Sequence, residues 1–254
     1  LRRPDPQAIW NVNYNNSWKN LDGHYFRSNK GGGHWEFNKQ LNEFWTVNYK
    51  HLTFKVSPTN FKHTGIFPEQ AANWDWMRSL ISSAGRPIKV LNLFAYTGGA
   101  TVAAAKAGAS VVHVDAAKGM VAQAKENAAL SGLSDKPIRY FVDDCTRFLQ
   151  YAAKKGIKYD AIIMDPPNFG RGANGEVWKL EDCVDEFVSL AAQLLSDEPL
   201  FFLINSYTTG LSDVVVRNML QMTVAKQHGG QIDSGSLVIP IKDSEIFLPC
   251  GNTA

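Results

Sequence analysis

"VLNLFAYTGGATVAAAKAG", residues 90 to 108, joins an apolar run to a glycine pair and then to an alanine-rich run. The first part has strand composition and the last is built of strong helix formers. Gly98 and Gly99 between them admit a sharp turn. Strand, tight turn and helix in that order open a βαβ unit, and such a turn is where a backbone passes close to a bound nucleotide. The stretch lacks the full GxGxxG, so a turn whose glycines serve only packing is the plainer alternative.

The chain downstream repeats the pattern. "SVVHVD", "IRYFVDD", "YDAIIMD" and "PLFFLINSY" read as strands, and "AAKGMVAQAKENAALSG", "TRFLQYAAKKG" and "EDCVDEFVSLAAQLLS" read as the helices between them. Gly108, Gly132 and Gly156 stand where three of the helices should stop, as left-handed caps. The alternation predicts an α/β fold, a Rossmann-like mostly parallel sheet flanked by helices. The first 60 residues differ: "HYFRS", "HWEFNK", "FWTVNY" and "LTFKVSP", separated by turn signals, predict a small antiparallel β-rich unit. We therefore divide the chain into residues 1–60, a β-rich unit suited to substrate recognition, and residues 61–254, the α/β domain, entered through a helix that ends near Gly85.

Acids end three successive strand candidates: Asp115, the pair Asp143-Asp144, and Asp165. All three would lie on the carboxyl edge of the sheet, where open α/β sheets bind ligands. Any one alone is as readily a helix N-cap. Asp115 follows Gly98 at close to the spacing of about 20 residues at which an acid accepts from both ribose hydroxyls. No GxxxxGK[ST] loop is present, which argues against a nucleoside triphosphatase. A ligand with a ribose, little phosphate and a positive charge fits an acidic rim beside Tyr96, and S-adenosylmethionine is such a ligand.

Composition bounds the remaining choices. A net charge of +2 and a pI near 8.4 neither require nor exclude RNA. Three cysteines without a CxxC pair argue against a disulfide framework or a structural metal and fit a cytoplasmic setting. No run is long and apolar enough for a membrane span. A chain that begins at Leu1 and stops just after "EIFLPCG" reads as a fragment with its natural ends missing.

In order and spacing, "LNLFAYTGGAT", "HVDAAKGM", "VDD" and "IIMDPPNFGRG" resemble the class I S-adenosylmethionine-dependent methyltransferases. Within them the chain is similar to the group that includes large-subunit rRNA cytosine-5 methyltransferases. The preceding "FKHTGIFPEQ", with Thr64 and Phe67, is similar to that group's Thr-Gly-Phe segment, so the resemblance covers roughly residues 58 to 210. It implies a methyltransferase that modifies a base in RNA, with rRNA favoured. It further implies that Phe94, Ala95, Tyr96, Thr97 and Gly98 wrap the methionine moiety, that Asp115 with Ala116 holds the ribose, and that Asp143 and Asp144 lie at the adenine. A small molecule or a protein side chain is the alternative acceptor, and binding without catalysis is a third reading.

"MDPPNF", residues 164 to 169, carries the candidate chemistry. Pro166 and Pro167 lock φ and bias Asp165 toward extended geometry, which makes a stiff corner. Asp165 and Asn168 are then positioned to hold a methyl acceptor, and Phe169 offers a face for a flipped base. A strand-terminating turn with a core phenylalanine is the bland reading. Cytosine-5 transfer needs a thiolate, whereas the stretch "INSYTTG" has none where the resembling enzymes carry a cysteine. Cys145 and Cys183 are poor nucleophile candidates, and Cys250, which could approach from another loop, reads more readily as an ordinary buried cysteine. Transfer to an amine through an Asp-Pro-Pro-aromatic corner needs no nucleophile. "RSNKGGGHWEF", with Arg27, Lys30, His34 and Trp35, is a candidate RNA contact or a plain hairpin, and "GRGANGEVWKLED" is a candidate lid.

Overall fold

The computed structural model describes residues 1–11, 19–28, 32–59, 62–171, 177–208 and 210–254. The chain opens with two antiparallel hairpins. Strands β1 (Gly23–Arg27) and β2 (Gly33–Phe37) form one, and β3 (Trp45–Tyr49) and β4 (Leu52–Val56) form the other. The expected β-rich start is thus two separate two-stranded sheets. In the first hairpin Trp35 packs on Tyr25 and Phe37, so its ring is already engaged. Lys30 lies outside the described residues.

A short 3₁₀ turn, Pro68–Gln70, leads into α1 (Ala71–Ser83). There follow β5 (Lys89–Leu93), α2 (Gly99–Lys106), β6 (Ser110–Asp115), α3 (Lys118–Leu130), β7 (Ile138–Val142), α4 (Cys145–Lys154) and β8 (Ala161–Met164). A small hairpin of β9 (Phe169–Arg171) and β10 (Val177–Lys179) precedes α5 (Leu180–Ala192) and β11 (Phe201–Ser206). The chain finishes with α6 (Asp213–Met222), α7 (Val224–His228), β12 (Gly235–Pro240) and β13 (Phe247–Thr253).

Seven strands form the central sheet in the order β12-β13-β11-β8-β5-β6-β7. The five from β11 to β7 run parallel, and β13 and β12 add antiparallel at one edge. Strands β5, β8 and β11 are buried along almost their whole length because both faces are covered. One core packs α4 and α5 on one face, through Phe148, Leu149, Phe187 and Val188. The other packs α1 and α2 on the opposite face, through Trp74, Met77, Val102 and Ala104. Gly108, Gly132 and Gly156 take φ of +105°, +70° and +64°, as helix-ending positions require.

Leu52 and Phe54 of β4 belong to the second core, together with Trp74 and Met77. The outer edge of β4 is sealed by α3: Asn127 Oδ1 accepts from Lys55 N (2.8 Å), Gln123 donates to Lys55 O (2.9 Å) and Ser131 exchanges bonds with both backbone groups of Thr53. Positions 123, 127 and 131 are spaced to share one helix face, so three polar side chains substitute for a missing strand. None of the described helices is long and apolar enough to cross a membrane.

Candidate active site

Strand order fixes where a ligand can enter. From β5 the chain moves outward to β6 and β7, then returns to β8 on the other side, so the order reverses between β5 and β8. The crevice at the carboxyl ends of these two strands is bounded by the turn 94–98 and by Asp165.

The turn is strained and heavily braced. Phe94 and Tyr96 adopt φ of +52° and +48°, costly for aromatic residues and tolerated only where the surroundings over-determine them. Phe94 N donates to Cys145 Sγ (3.3 Å), Tyr96 N to Asp115 Oδ2 (2.8 Å) and Gly98 N to Ala95 O (2.9 Å). Thr97 Oγ1 donates to Gly65 O (2.7 Å), and Asn127 Nδ2 donates to Thr97 O (2.8 Å), tying the turn to the 64–67 segment and to α3.

The glycines of the turn are tightly packed. A Cβ on Gly98 would lie 2.8 Å from Ala124 Cβ, and one on Gly99 would lie 2.6 Å from Trp74 Cζ2. Gly98 also has φ of +81°. Backbone conformation at Gly98 and the packing of α2 against α3 and α1 thus each call for glycine here, and Gly99 also lines the crevice.

The strand-end acids have local partners. Asp115 accepts from Tyr96 N and Ala117 N, one bond to each oxygen, and Ala116 beside it is exposed. Asp144 is the N-cap of α4, accepting from Arg147 N (2.9 Å), and Asp143 pairs with the Arg147 guanidinium. Each oxygen of Asp115 keeps a second lone pair for a further donor.

The crevice is walled by Phe67, Phe94, Ala95, Tyr96, Thr97 and Asp165 from the residues expected in sequence. Thr64, Gly98, Asp115, Ala116, Asp143 and Asp144 sit around the same edge without lining it. Its wall also includes Gln70, Asn73, Asn92 and Asn205, which the sequence reading passed over. Asn73 Nδ2 reaches Gln70 Oε1 (3.0 Å), Asn205 Oδ1 (2.9 Å) and Thr253 Oγ1 (3.2 Å), and Gln70 Nε2 donates to Tyr207 Oη (2.7 Å). Of this network, "FKHTGIFPEQ" contains Gln70 and "INSYTTG" contains Asn205 and Tyr207, with no local pattern to join them.

Asp165 faces this network without a cation against it. Burial, aided by the neighbouring Glu69 carboxylate, pushes its carboxyl up to about 7. Burial likewise raises Glu69, and it holds the Tyr207 phenol well above its ordinary value, with Asp165 and Glu69 adding to the shift. The corner beyond is fixed: Trp178 Nε1 donates to Pro167 O (2.7 Å), Leu180 N to Asn168 O (3.1 Å) and Asn168 Nδ2 to Tyr207 O (3.3 Å). Pro166 is buried, while Phe169 is 55% exposed and free to meet a partner.

The thiols are poorly placed for nucleophilic work. Cys145 is buried beneath the turn, and burial drives its thiol far above the ordinary range. Cys250 on β13 is pushed up to about 11, by burial and then by Glu69 and Asp5. Cys183 lies in the first turn of α5. Among the described residues no group of three metal-ligating side chains comes together.

This donor set fits S-adenosylmethionine. Among the described residues lining the crevice, none is Lys or Arg, so nothing there suits a polyphosphate. Aromatic faces from Phe67 and Tyr96 with the Asp165 carboxyl suit a sulfonium. The sequence profile of the S-adenosylmethionine-dependent methyltransferases matches residues 14–211. The structure superposes on a SAM-dependent methyltransferase from Agrobacterium tumefaciens with a TM-score of 0.92 at 36% identity, covering 98% of this chain and 82% of that one. A protein described as a methyltransferase complexed with SAH shares the fold at a TM-score of 0.71 and 22% identity, over 93% of this chain and 62% of that one. In sequence, the ribosomal RNA large subunit methyltransferase K/L of Shewanella sp. (strain ANA-3) is 36% identical over 147 residues, which is 56% of this chain and 19% of that protein. The corresponding Shewanella baltica (strain OS195) protein is 35% identical over 146 residues, again 56% and 19%. The chain thus matches about a fifth of the length of these relatives. S-adenosylmethionine is its cofactor, and the chain belongs to the family of S-adenosylmethionine-dependent methyltransferases.

Proposed function

We propose that the chain methylates a nitrogen of a base in RNA, with rRNA favoured. The observation that carries this reading is the rigid Asp165–Phe169 corner, which sets a carboxyl, an amide and an exposed ring beside a crevice that offers no thiolate. Relatives named as rRNA methyltransferases support the choice of RNA.

When bound, the cofactor supplies an electrophilic methyl group. Phe67, Phe94, Ala95, Tyr96 and Thr97 would hold its methionine end, with Thr64 and Gly98 supporting the wall, and Asp115 would accept from the ribose hydroxyls with Ala116 alongside. Asp143 and Asp144 would stand at the adenine. A base stacked on Phe169 is held by Asp165, which accepts from its N–H and leaves the nitrogen lone pair facing the methyl group. Asn168 Oδ1 is available for a second base N–H, because its Nδ2 is committed to Tyr207 O. Pro166 and Pro167 act by stiffness alone. The β-rich residues 1–60 would contribute substrate recognition, a role that also fits a cytoplasmic RNA enzyme.

Tritium transfer from labelled cofactor, offered in parallel to total RNA, protein extract and metabolite extract, tests the reading. Label in RNA, released as an N-methylated base on digestion, is the expected result. Label confined to protein or metabolites would overturn the acceptor assignment.

A further inference from the structure

The crevice holds the Asp165 carboxyl, yet two cations stand at the segment that leads into it. Arg3 Nη1 donates to Lys62 O (3.3 Å), which fixes the exposed N-terminal arm against the segment leading to the crevice. Lys62 is only loosely paired, its Nζ 4.0 Å from Asp5 Oδ2. Both charges are near enough to act on His63 and on Glu69, whose neighbours Phe67 and Gln70 line the crevice.

Aromatic rings continue inward from this pair. His63 lies 5.0 Å from Phe67, and Phe67 lies 5.5 Å from Tyr96 and 5.8 Å from Tyr207. Burial, then Lys62 and Arg3, hold His63 down at about 4, so its ring is neutral near pH 7 and serves as a flat surface. Cations followed by rings match a strand whose phosphates stay at the rim while a base reaches inward. An enclosed phosphate pocket would place its cations inside the crevice, where none of the described lining residues is a cation.

We propose that Arg3 and Lys62 form a phosphate-binding rim for single-stranded RNA, from which the target nucleotide passes His63 and Phe67 toward Asp165. This rests on the reading of RNA as the acceptor. Asp5 tempers the rim, and removing its charge should strengthen binding.

The test measures anisotropy of a labelled 20-nucleotide single-stranded RNA with the full chain and with R3A/K62A. Single strands lose about 0.7 in the salt exponent per phosphate contact, so the double variant should shed about 1.4 from its slope. The wild-type advantage should then shrink about 7-fold between 50 and 200 mM salt. Cofactor affinity should not change, and R3K/K62R, which keeps both charges, should restore the slope. An unchanged slope in R3A/K62A would overturn the rim while leaving RNA as acceptor. Failure of R3K/K62R to restore it would also overturn the rim, by assigning the loss to folding. No binding of the strand by wild type at 50 mM salt would overturn the RNA reading with it. Saturation by a nucleoside monophosphate as tightly as by the strand would transfer the rim to a small phosphorylated acceptor and overturn the proposal.

Discussion

Replacing Asp115 with alanine separates the brace seen in the structure from the ribose contact we propose for the same carboxylate. Its oxygens accept from Tyr96 N and Ala117 N, each at 2.8 Å, and so help hold Tyr96 at positive φ. A bond to a charged acceptor contributes about 1.5–3 kcal/mol. Because Asp115 is half-exposed, water can reach the freed donors, so the stability loss should sit near the lower bound for the two bonds together, about 3 kcal/mol. If the remaining lone pairs accept from the ribose hydroxyls, Asp115→Ala also loses about 1.5–3 kcal/mol of cofactor binding, or about 10- to 150-fold in Kd. Calorimetric titration with S-adenosylhomocysteine, alongside a melting curve, reads the two losses separately. A folded variant with lowered Tm and unchanged Kd would refute the ribose assignment and leave Asp115 as a brace for the turn.

Gly99→Ala should cost about 1–3 kcal/mol of stability from overpacking against Trp74, seen as a lower Tm, and a Tm equal to wild type would contradict the packing account of that glycine. Phe169→Ala should raise KM for an RNA acceptor by the equivalent of about 1–3 kcal/mol at unchanged Tm, because the ring is exposed; an unchanged KM would remove it from the acceptor site. Burial raises the folded-state carboxyl of Asp165 to about 7, above its unfolded value, so the stability it contributes is present below about pH 4 and is lost as pH rises through about 7. Melting curves should show a smaller decline with pH in Asp165→Asn than in wild type, and parallel declines would refute the assigned ionisation. The same ionisation should give wild-type turnover a rising limb near pH 7, absent in Asp165→Asn.

The sequence made the parallel sheet legible because two periodicities alternate cleanly from Lys89 to Ser206, and each element found there matches one in the structure. It also exposed the turn 94–98 and Asp165, since glycines and prolines are local signals. What it hid was non-local. The reason for Gly99 is an indole from α1, and Asn73, Asn205 and Thr253 form one network from positions that no short window joins. The strands β12 and β13 went unseen because the antiparallel edge has weak alternation, with Pro240, Pro249 and Gly251 inside it. Two of the acids at the strand ends have local partners, Asp144 as a helix cap and Asp143 with Arg147, which a residue type alone does not disclose.

We propose that the Asp165–Phe169 corner acts on the transition state of methyl transfer. Single-turnover transfer to RNA by Asp165→Ala, with cofactor Kd measured on the same preparation, addresses it most directly. A misplacement of about 1 Å in a reacting pair costs about 100-fold, so the rate should fall by at least about that much, with Kd within a few-fold of wild type. Loss of cofactor binding and Tm in step with the rate would contradict it, and would make "MDPPNF" a fold element alone.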